Sequence, residues 1–547
     1  MKKNQLWCYL FLITFTSQVF AANSKINKKN IKTVATSKTT GKSSAVRTVM
    51  TNTAGPKVYT QNKNSTVRTQ IQNAITQFKN GNYANAANIL YLLSKRSDLV
   101  NERSQIKMYL GEALMELNYN QSAAFQFVDI IKSGDGRFTR TALEKLLIVT
   151  DRLGDETLLN YAIQRIDVNS IPNQHRDMLF YRMGEIKLNS GAYKEAANLF
   201  ERVGSQSRYY YNALYSLGLA QAEAKQPDLA ILSFKKLLDS RDKAKVTDVN
   251  KVAAQMAIAR SLYQKKDFDG SVDAYGKIPR DHMMWHDAMF EKSWAMLRSA
   301  RFRSALSNFQ SLHSSYYDDF YIPESLLLRS IVYLYICKYD EMEKVLGLFE
   351  KQYNPVQKSI DNFLKTKVAA DSYYSEVEKA YILKRDEESS KKTFLPLKVV
   401  NKIYQEGNVR RSLTYIKKLV EEKRAIEDNP QFRSLPVGAY SLKIVSNRIK
   451  GAKAQTGDMV KAHLENMNIE LKDLQEQASL IRYEMINGKK ETIKKRLAGK
   501  DLTDVQVDEE QDRSFYIQNG YEYYPFQGEY WLDEVGNYHY LGKQSCE

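Results

Sequence analysis

Large and small apolar positions recur in this chain with the spacing of a helix face, and they recur as a block. In residues 81–93 (GNYANAANILYLL) the large Tyr83 precedes the small Ala86 by three positions, and the bulky Leu90 follows four later. Steps of three and four keep residues on one side of a helix. Residues 191–203 (GAYKEAANLFERV) repeat the block closely; residues 225–237, 266–278, 300–312 and 337–349 repeat it loosely. The aligned central residues are Ala86, Ala123, Ala196, Ala230, Ser271, Ala305 and Met342, at intervals of 37, 73, 34, 41, 34 and 37. The large residue returns as Tyr193, Phe268, Phe302 and Tyr339. The bulky one returns as Phe127, Phe200, Phe234, Tyr275, Phe309 and Leu346. Upstream stand Leu110 with Gly111, Met183 with Gly184, and Leu217 with Gly218. Each unit therefore reads as an α-hairpin: a first helix whose glycine admits its partner, a turn, then a second helix starting near the aromatic. About eight such hairpins are expected over residues 71–350, with 141–170 a degenerate unit.

Behind the repeats, residues 351–435 keep helical periodicity, with breaks near Pro396 and at Asn429 and Pro430. From Val460 the pattern becomes regular: Val460, Leu464, Met467, Leu471, Leu474, Ala478, Ile481 and Met485 alternate steps of four and three, a heptad seam. Two partners fit that seam. One is the helix through Leu442, Val445 and Ile449, folded back across a loop-like stretch at 451–457 to give a coiled-coil hairpin over 436–500. The other is a second copy of the chain, giving a homodimer. The final stretch, 501–547, crowds aromatics between glycines, and Asn519 before Gly520 is a hairpin-turn signal. That tail reads as short strands that cap the helices, or as a stacking surface for a glycan or a partner.

The repeated block resembles the tetratricopeptide repeat (TPR), whose pattern runs Leu-Gly, then Gly-x-Tyr-x-x-Ala, then an aromatic. Gly184, Gly191, Tyr193, Ala196 and Phe200 match it at every strong position. The resemblance implies an all-α fold: a TPR-like solenoid, here followed by a helical and coiled-coil region and a small aromatic-rich, β-like tail. It also implies that the first helix of each hairpin lines a concave groove. Carried onto this chain, the groove positions are Tyr181, Glu185, Asn189, Tyr215, Glu223, Arg260, Tyr263, Trp294, Arg298 and Tyr335. Aromatics with mixed charges suit a helical or extended protein segment with apolar anchors. The same aromatics could instead pack one repeat on the next.

Charge changes the picture at one end only. The net charge is +18, yet the first acidic residue is Asp98, and fifteen Lys and Arg precede it. Only +3 remains for the rest, so the chain reads as a basic arm on a nearly balanced body. Lys2 and Lys3 lead into an apolar run and then Val19 and Ala21, small residues at −3 and −1 of a cleavage site. Residues 1–21 are thus expected to be a secretory signal peptide, the competing reading being an uncleaved anchor. Residues 22–70, rich in Lys, Asn, Ser and Thr, read as a disordered basic linker. It could touch anionic membrane or cell-wall polymer; export would remove it from nucleic acid.

No chemistry stands out. Gly and Pro number only 24 and 10, and the sequence holds no P-loop, no dinucleotide fingerprint and no nucleophile elbow. His282 and His286 have metal-ligand spacing but lack the glutamate of a zinc protease, so repeat packing is the better account and no cofactor is expected. Two cysteines lie beyond the signal segment. Cys337 and Cys546 could pair in an oxidising compartment, or Cys337 could simply fill a small-residue position.

The stretches IRYEMINGKKE (481–491) and YYPFQGEYWLDEVGNYHY, with a penultimate cysteine, look like periplasmic TPR proteins of gliding and predatory bacteria, including the gliding-motility TPR family. That likeness implies a non-enzymatic periplasmic scaffold that binds envelope proteins through its groove, in a motility or envelope-assembly complex. The alternative is a cell-wall (peptidoglycan)-associated binding or regulatory protein.

Overall fold

The computed structural model describes residues 60–154, 157–163, 173–239, 248–367, 369–383, 393–497 and 529–540; these are overwhelmingly helical and contain no strand. The signal segment, most of the basic linker, the Asn519–Gly520 turn and Cys546 lie outside the described residues.

One turn chemistry builds the repeats. Gly81, Asn118, Gly191, Lys225, Lys266, Ala300 and Cys337 all adopt left-handed backbone, with φ between 56° and 80°. At each, the amide donates to the carbonyl three residues back and the next amide reaches five back, as in Asn82 N to Gln77 O and Lys338 N to Tyr333 O. This pair of bonds satisfies carbonyls that the end of a helix would leave open. These residues fall at the same intervals as the aligned blocks. Gly154, with φ 73°, supplies the eighth and divides the 73-residue gap into 36 and 37. The degenerate unit is therefore a true hairpin, Gly136–Leu153 followed by the short Thr157–Ile163.

Between the two helices of a hairpin, size matching sets the distance. A Cβ added at Gly111 would lie 2.6 Å from the Phe127 ring, and one at Gly218 would lie 2.5 Å from Phe234. Both rings are completely buried. Where glycine is absent, other small residues hold the place: Ala74, Ala259, Ser293 and Ser330, all buried.

The chain forms two compact units, Met1–Glu195 with Thr414–Gly451, and Ala196–Leu413 with Ala452–Glu547. In the first, the hairpins Thr60–Lys79/Tyr83–Ser94 and Arg103–Glu116/Asn120–Ser133 are followed by Gly136–Leu153. Residues 414–451 lie against them: the Phe432 ring meets Tyr119 at 4.7 Å, and Tyr440 meets Tyr91 at 4.7 Å. Glu422, Tyr415 and Gln121 form a buried polar cluster there, with Tyr415 Oη donating to Gln121 Oε1 at 2.6 Å.

In the second unit the hairpins Tyr210–Glu223/Pro227–Leu238, Asp248–Gln264/Phe268–Gly276 and Trp285–Arg298/Phe302–Leu312 stack in order. Glu324–Tyr335 then pairs with the 28-residue Tyr339–Thr366. The heptad seam is buried along its whole length, from Val460 to Met485. Its partner within the chain is not the one expected from the sequence. Residues 436–497 form one helix, Pro436–Leu497, with no loop at 451–457, so Leu442, Val445 and Ile449 belong to the same helix as the seam and cannot fold back on it. The seam packs antiparallel on Tyr339–Thr366, with Asp340 on Lys489 (3.0 Å), Glu350 on Arg482 (2.6 Å), Asn354 on Gln475 (2.8 Å) and Gln357 on Asn468 (2.9 Å). Each large apolar side chain buried there contributes about 2 kcal/mol, which outweighs the partly exposed ion pairs beside it. The glycine at 457 serves close approach, not a turn: a Cβ would stand 2.0 Å from the Ala370 carbonyl oxygen. Cys337 is disulfide-bonded, and the other cysteines of the sequence, Cys8 and Cys546, lie outside the described residues. Residues 529–540 are turn and coil, where strands were expected of the tail.

Candidate functional site

The first helices of the second unit carry most of the groove positions expected from the sequence. On Asp248–Gln264, Arg260 makes a two-pronged contact with Glu291 of the next hairpin, Nε to Oε2 at 2.7 Å and a terminal nitrogen to Oε1 at 2.6 Å. Planar fork-to-carboxylate pairing of this kind fixes orientation as well as distance. Tyr275 Oη also donates to Glu291 Oε2, at 2.7 Å. The Glu291 charge raises the Arg260 guanidinium pKa, and burial holds the Tyr275 phenol well above its ordinary value.

One turn further on, Tyr263 meets Phe268 edge-on at 5.3 Å, and the Arg298 guanidinium sits over the same Phe268 ring at 5.3 Å. Tyr335 stacks on Phe302 at 5.2 Å, and Tyr215 leans on Phe234 at 5.7 Å. A rule connects these pairs: the groove aromatic or cation of a first helix rests on the aromatic of a second helix. Tyr215, Tyr263, Arg298 and Tyr335 are half-buried by that packing and Trp294 is half-buried too, whereas Arg260 and Glu223 are exposed. Each of these half-buried side chains is therefore packed on one side and open on the other.

Glu291 and Glu324 escaped the sequence reading. Glu291 lies inside a first helix and gains its meaning from Arg260 across the repeat, while Glu324 opens a first helix. Burial first, then the neighbouring Glu470, pushes the Glu324 carboxyl up to about 8, and its Oε1 is buried without a hydrogen-bond partner. Burial raises the Tyr263 phenol, with the Arg298 charge lowering it and the Glu324 charge raising it.

In the first unit, the helix Asn173–Asn189 carries Tyr181, Glu185 and Asn189. Tyr181 is buried, with its hydroxyl donating to Glu185 Oε1 at 2.8 Å; Arg182 pairs with the other oxygen at 2.7 Å. Asn189 is exposed near the helix end. These three residues form a local brace along one helix.

Among the described residues, no cluster of three His, Cys, Asp or Glu could hold a metal ion, and no helix is long and apolar enough to cross a membrane. His282 and His286 do not share a helix face, because the helix starts at Trp285. His282 Nδ1 accepts from the Met284 amide at 3.1 Å, while His286 is buried between Phe320 and Tyr317, ring centroids 4.2 and 4.8 Å away.

Residues 181–245 match the tetratricopeptide repeat family model, a stretch that holds Tyr181, Glu185, Asn189, Tyr215 and Glu223. No characterised protein has a significantly matching sequence. Similar solved structures include the apo form of RapI, at 13% identity and TM-score 0.34 over 66% of this chain and 99% of that one. Another is a Rap protein complexed with competence and sporulation factor, at 9% identity and TM-score 0.27 over 71% and 99%. The TPR domain of P58(IPK) matches at 11% identity and TM-score 0.18 over 70% and 98%.

Proposed function

We propose that this chain is a non-enzymatic scaffold of the cell envelope that docks a segment of another protein on its first-helix face. The observation that carries the reading is the arrangement around Phe268: Tyr263 and Arg298 are pinned by one ring, with Arg260, Glu291 and Glu324 beside them. Preset aromatic edges and a bidentate ion pair give anchors without enclosing a reaction centre. A helical or extended partner would lay apolar side chains on Tyr263, Trp294 and Tyr335. The n-region, apolar run and Val19/Ala21 pattern support export to the periplasm, and a disulfide at Cys337 suits an oxidising compartment. A place in a motility or envelope-assembly complex follows from the resemblance of residues 481–491 and the tail.

The test is capture from envelope extract, with wild-type protein beside Trp294→Ala and Arg298→Ala variants of unchanged melting. A protein recovered by the wild type and lost with both variants supports the reading; equal recovery by all three overturns it. A second reading, attachment to cell-wall polymer, is favoured by the fifteen cations before Asp98. Sedimentation with peptidoglycan that depends on residues 22–66 would support it.

A further inference from the structure

A second surface of the same unit already holds a peptide. Residues 529–540 lie on the hairpin Trp285–Arg298/Phe302–Leu312 and the loops beside it, and four receptor side chains bind their backbone. The Gly536 amide donates to Ser311 Oγ at 2.7 Å and the Tyr540 amide to Ser307 Oγ at 2.7 Å. The Arg280 guanidinium donates to the Asp533 carbonyl at 2.8 Å, and the Tyr316 hydroxyl to the Tyr530 carbonyl at 3.2 Å. One side chain of the segment, Val535, is fully buried. Gly536 follows it with φ 96°, and a Cβ there would press on the Trp285 ring at 3.2 Å. Trp531 and Leu532, the largest apolar groups of the segment, remain 61% and 59% exposed.

Main-chain bonds, one apolar anchor and one place that only glycine fits are the features by which proteins read extended segments of other chains. We infer that the Trp285/Ser307/Ser311 face is a peptide-receiving seat, filled in cis by the chain's own tail. The seat would accept a partner segment of the same chemistry: an acidic residue, a β-branched aliphatic residue and glycine, flanked by aromatics. The tail is then a competitor built into the protein. A single fully buried side chain, with backbone bonds to two serines, a tyrosine and an arginine, suits an occupant that can be exchanged. This seat is separate from the first-helix face. Trp285 and Trp294 are nine residues apart, two and a half turns, and so project from opposite sides of their helix.

The test uses the full chain and a fluorescent peptide of residues 529–540. In Val535→Asp protein the tail loses its anchor, so the peptide should bind at least tenfold tighter than it does to wild type. A peptide carrying the same Val→Asp change should bind at least tenfold more weakly. Indistinguishable binding by the two proteins, or by the two peptides, overturns the proposal. Hydrogen exchange on the wild type gives an independent reading that needs no variant. The Gly536 and Tyr540 amides should exchange at least tenfold faster than those of residues 293–297 beneath them. Exchange in step with that helix would make the tail a fixed part of the fold and end the proposal.

Discussion

Glu422 caps the helix that contains Ser122, 300 residues away in the chain: its Oε2 accepts from the Gln121 amide at 2.8 Å, and its Oε1 from the Ser122 amide and hydroxyl at 3.2 Å. The helix has no cap of its own, since the Tyr119 side chain at its start makes no capping hydrogen bond. Burial pushes the Glu422 carboxyl up to about 7, while the three donors resist that rise. Glu422→Ala should cost about 2 to 3 kcal/mol, because two buried amides lose their acceptor. Glu422→Gln should cost less. As a raised acid, Glu422 favours the folded state most below about pH 4.5, and this part of the stability declines toward pH 7 by about 3 kcal/mol. Urea melts of wild type and Glu422→Gln across that range check it: the wild-type slope should flatten in the variant.

His286 works in the opposite direction. It is 4% exposed, neither ring nitrogen makes a hydrogen bond of normal geometry, and burial lowers its pKa to about 4, with Lys402 adding to the effect. His313 is lowered as well, by burial first and then by the Arg329 charge. Below an unfolded value near 6.5 the open chain binds the proton first. Stability is therefore full above that pH and is lost as pH falls toward 4, by about 3 kcal/mol for His286. His286→Phe should raise Tm at neutral pH and remove most of the loss between pH 6.5 and 4. A variant with unchanged acid sensitivity would place the effect elsewhere.

Ala300 occupies a left-handed turn at φ 57°, where an L side chain costs about 1 to 2 kcal/mol. Glycine forfeits part of that gain through its freer unfolded chain. Ala300→Gly should therefore stabilise by about 0.5 to 1 kcal/mol, the reverse of what the same change does inside a helix. Lys225→Gly and Lys266→Gly should follow in sign, read as shifts of the denaturation midpoint.

Tyr181 and Trp294 were expected together on one groove, and their surroundings now separate them. Tyr181 is buried and bonded to Glu185, so Tyr181→Ala should lower stability by about 3 kcal/mol through its lost ring. Trp294 is half-buried, so Trp294→Ala should chiefly weaken partner capture, by tenfold or more. Melting and capture measured on both proteins distinguish the two roles.

What was legible in the sequence was local and periodic. The intervals between Ala86, Ala123, Ala196, Ala230, Ser271, Ala305 and Met342 recur in the left-handed turn residues, because each turn sits at a fixed count from its block. The heptad residues Val460 to Met485 were recognisable as one buried seam. Their partner was not, since glycine at 451 and 457 reads the same whether it breaks a helix or admits the Ala370 backbone. The unit around Gly154 reads as degenerate because its second helix is short and its small-residue place holds Leu147. Arg260 was visible as a groove candidate, but the Glu291 that fixes it belongs to another repeat. Glu422 was out of reach altogether, for no spacing rule spans 300 residues.

Sixteen positions separate Gly111 from Phe127 and Gly218 from Phe234, and the same count joins Ser293 to Phe309 and Ser330 to Leu346. Between hairpins the count is free, as the 41-residue step from Lys225 to Lys266 shows beside its neighbours of 34. The chain is therefore divided into stretches where one inserted residue would rotate a ring out of its socket and stretches where an insertion would pass unnoticed. A tag or fluorophore placed between hairpins should be carried silently, while the same insert between a small residue and its ring would unmake that repeat.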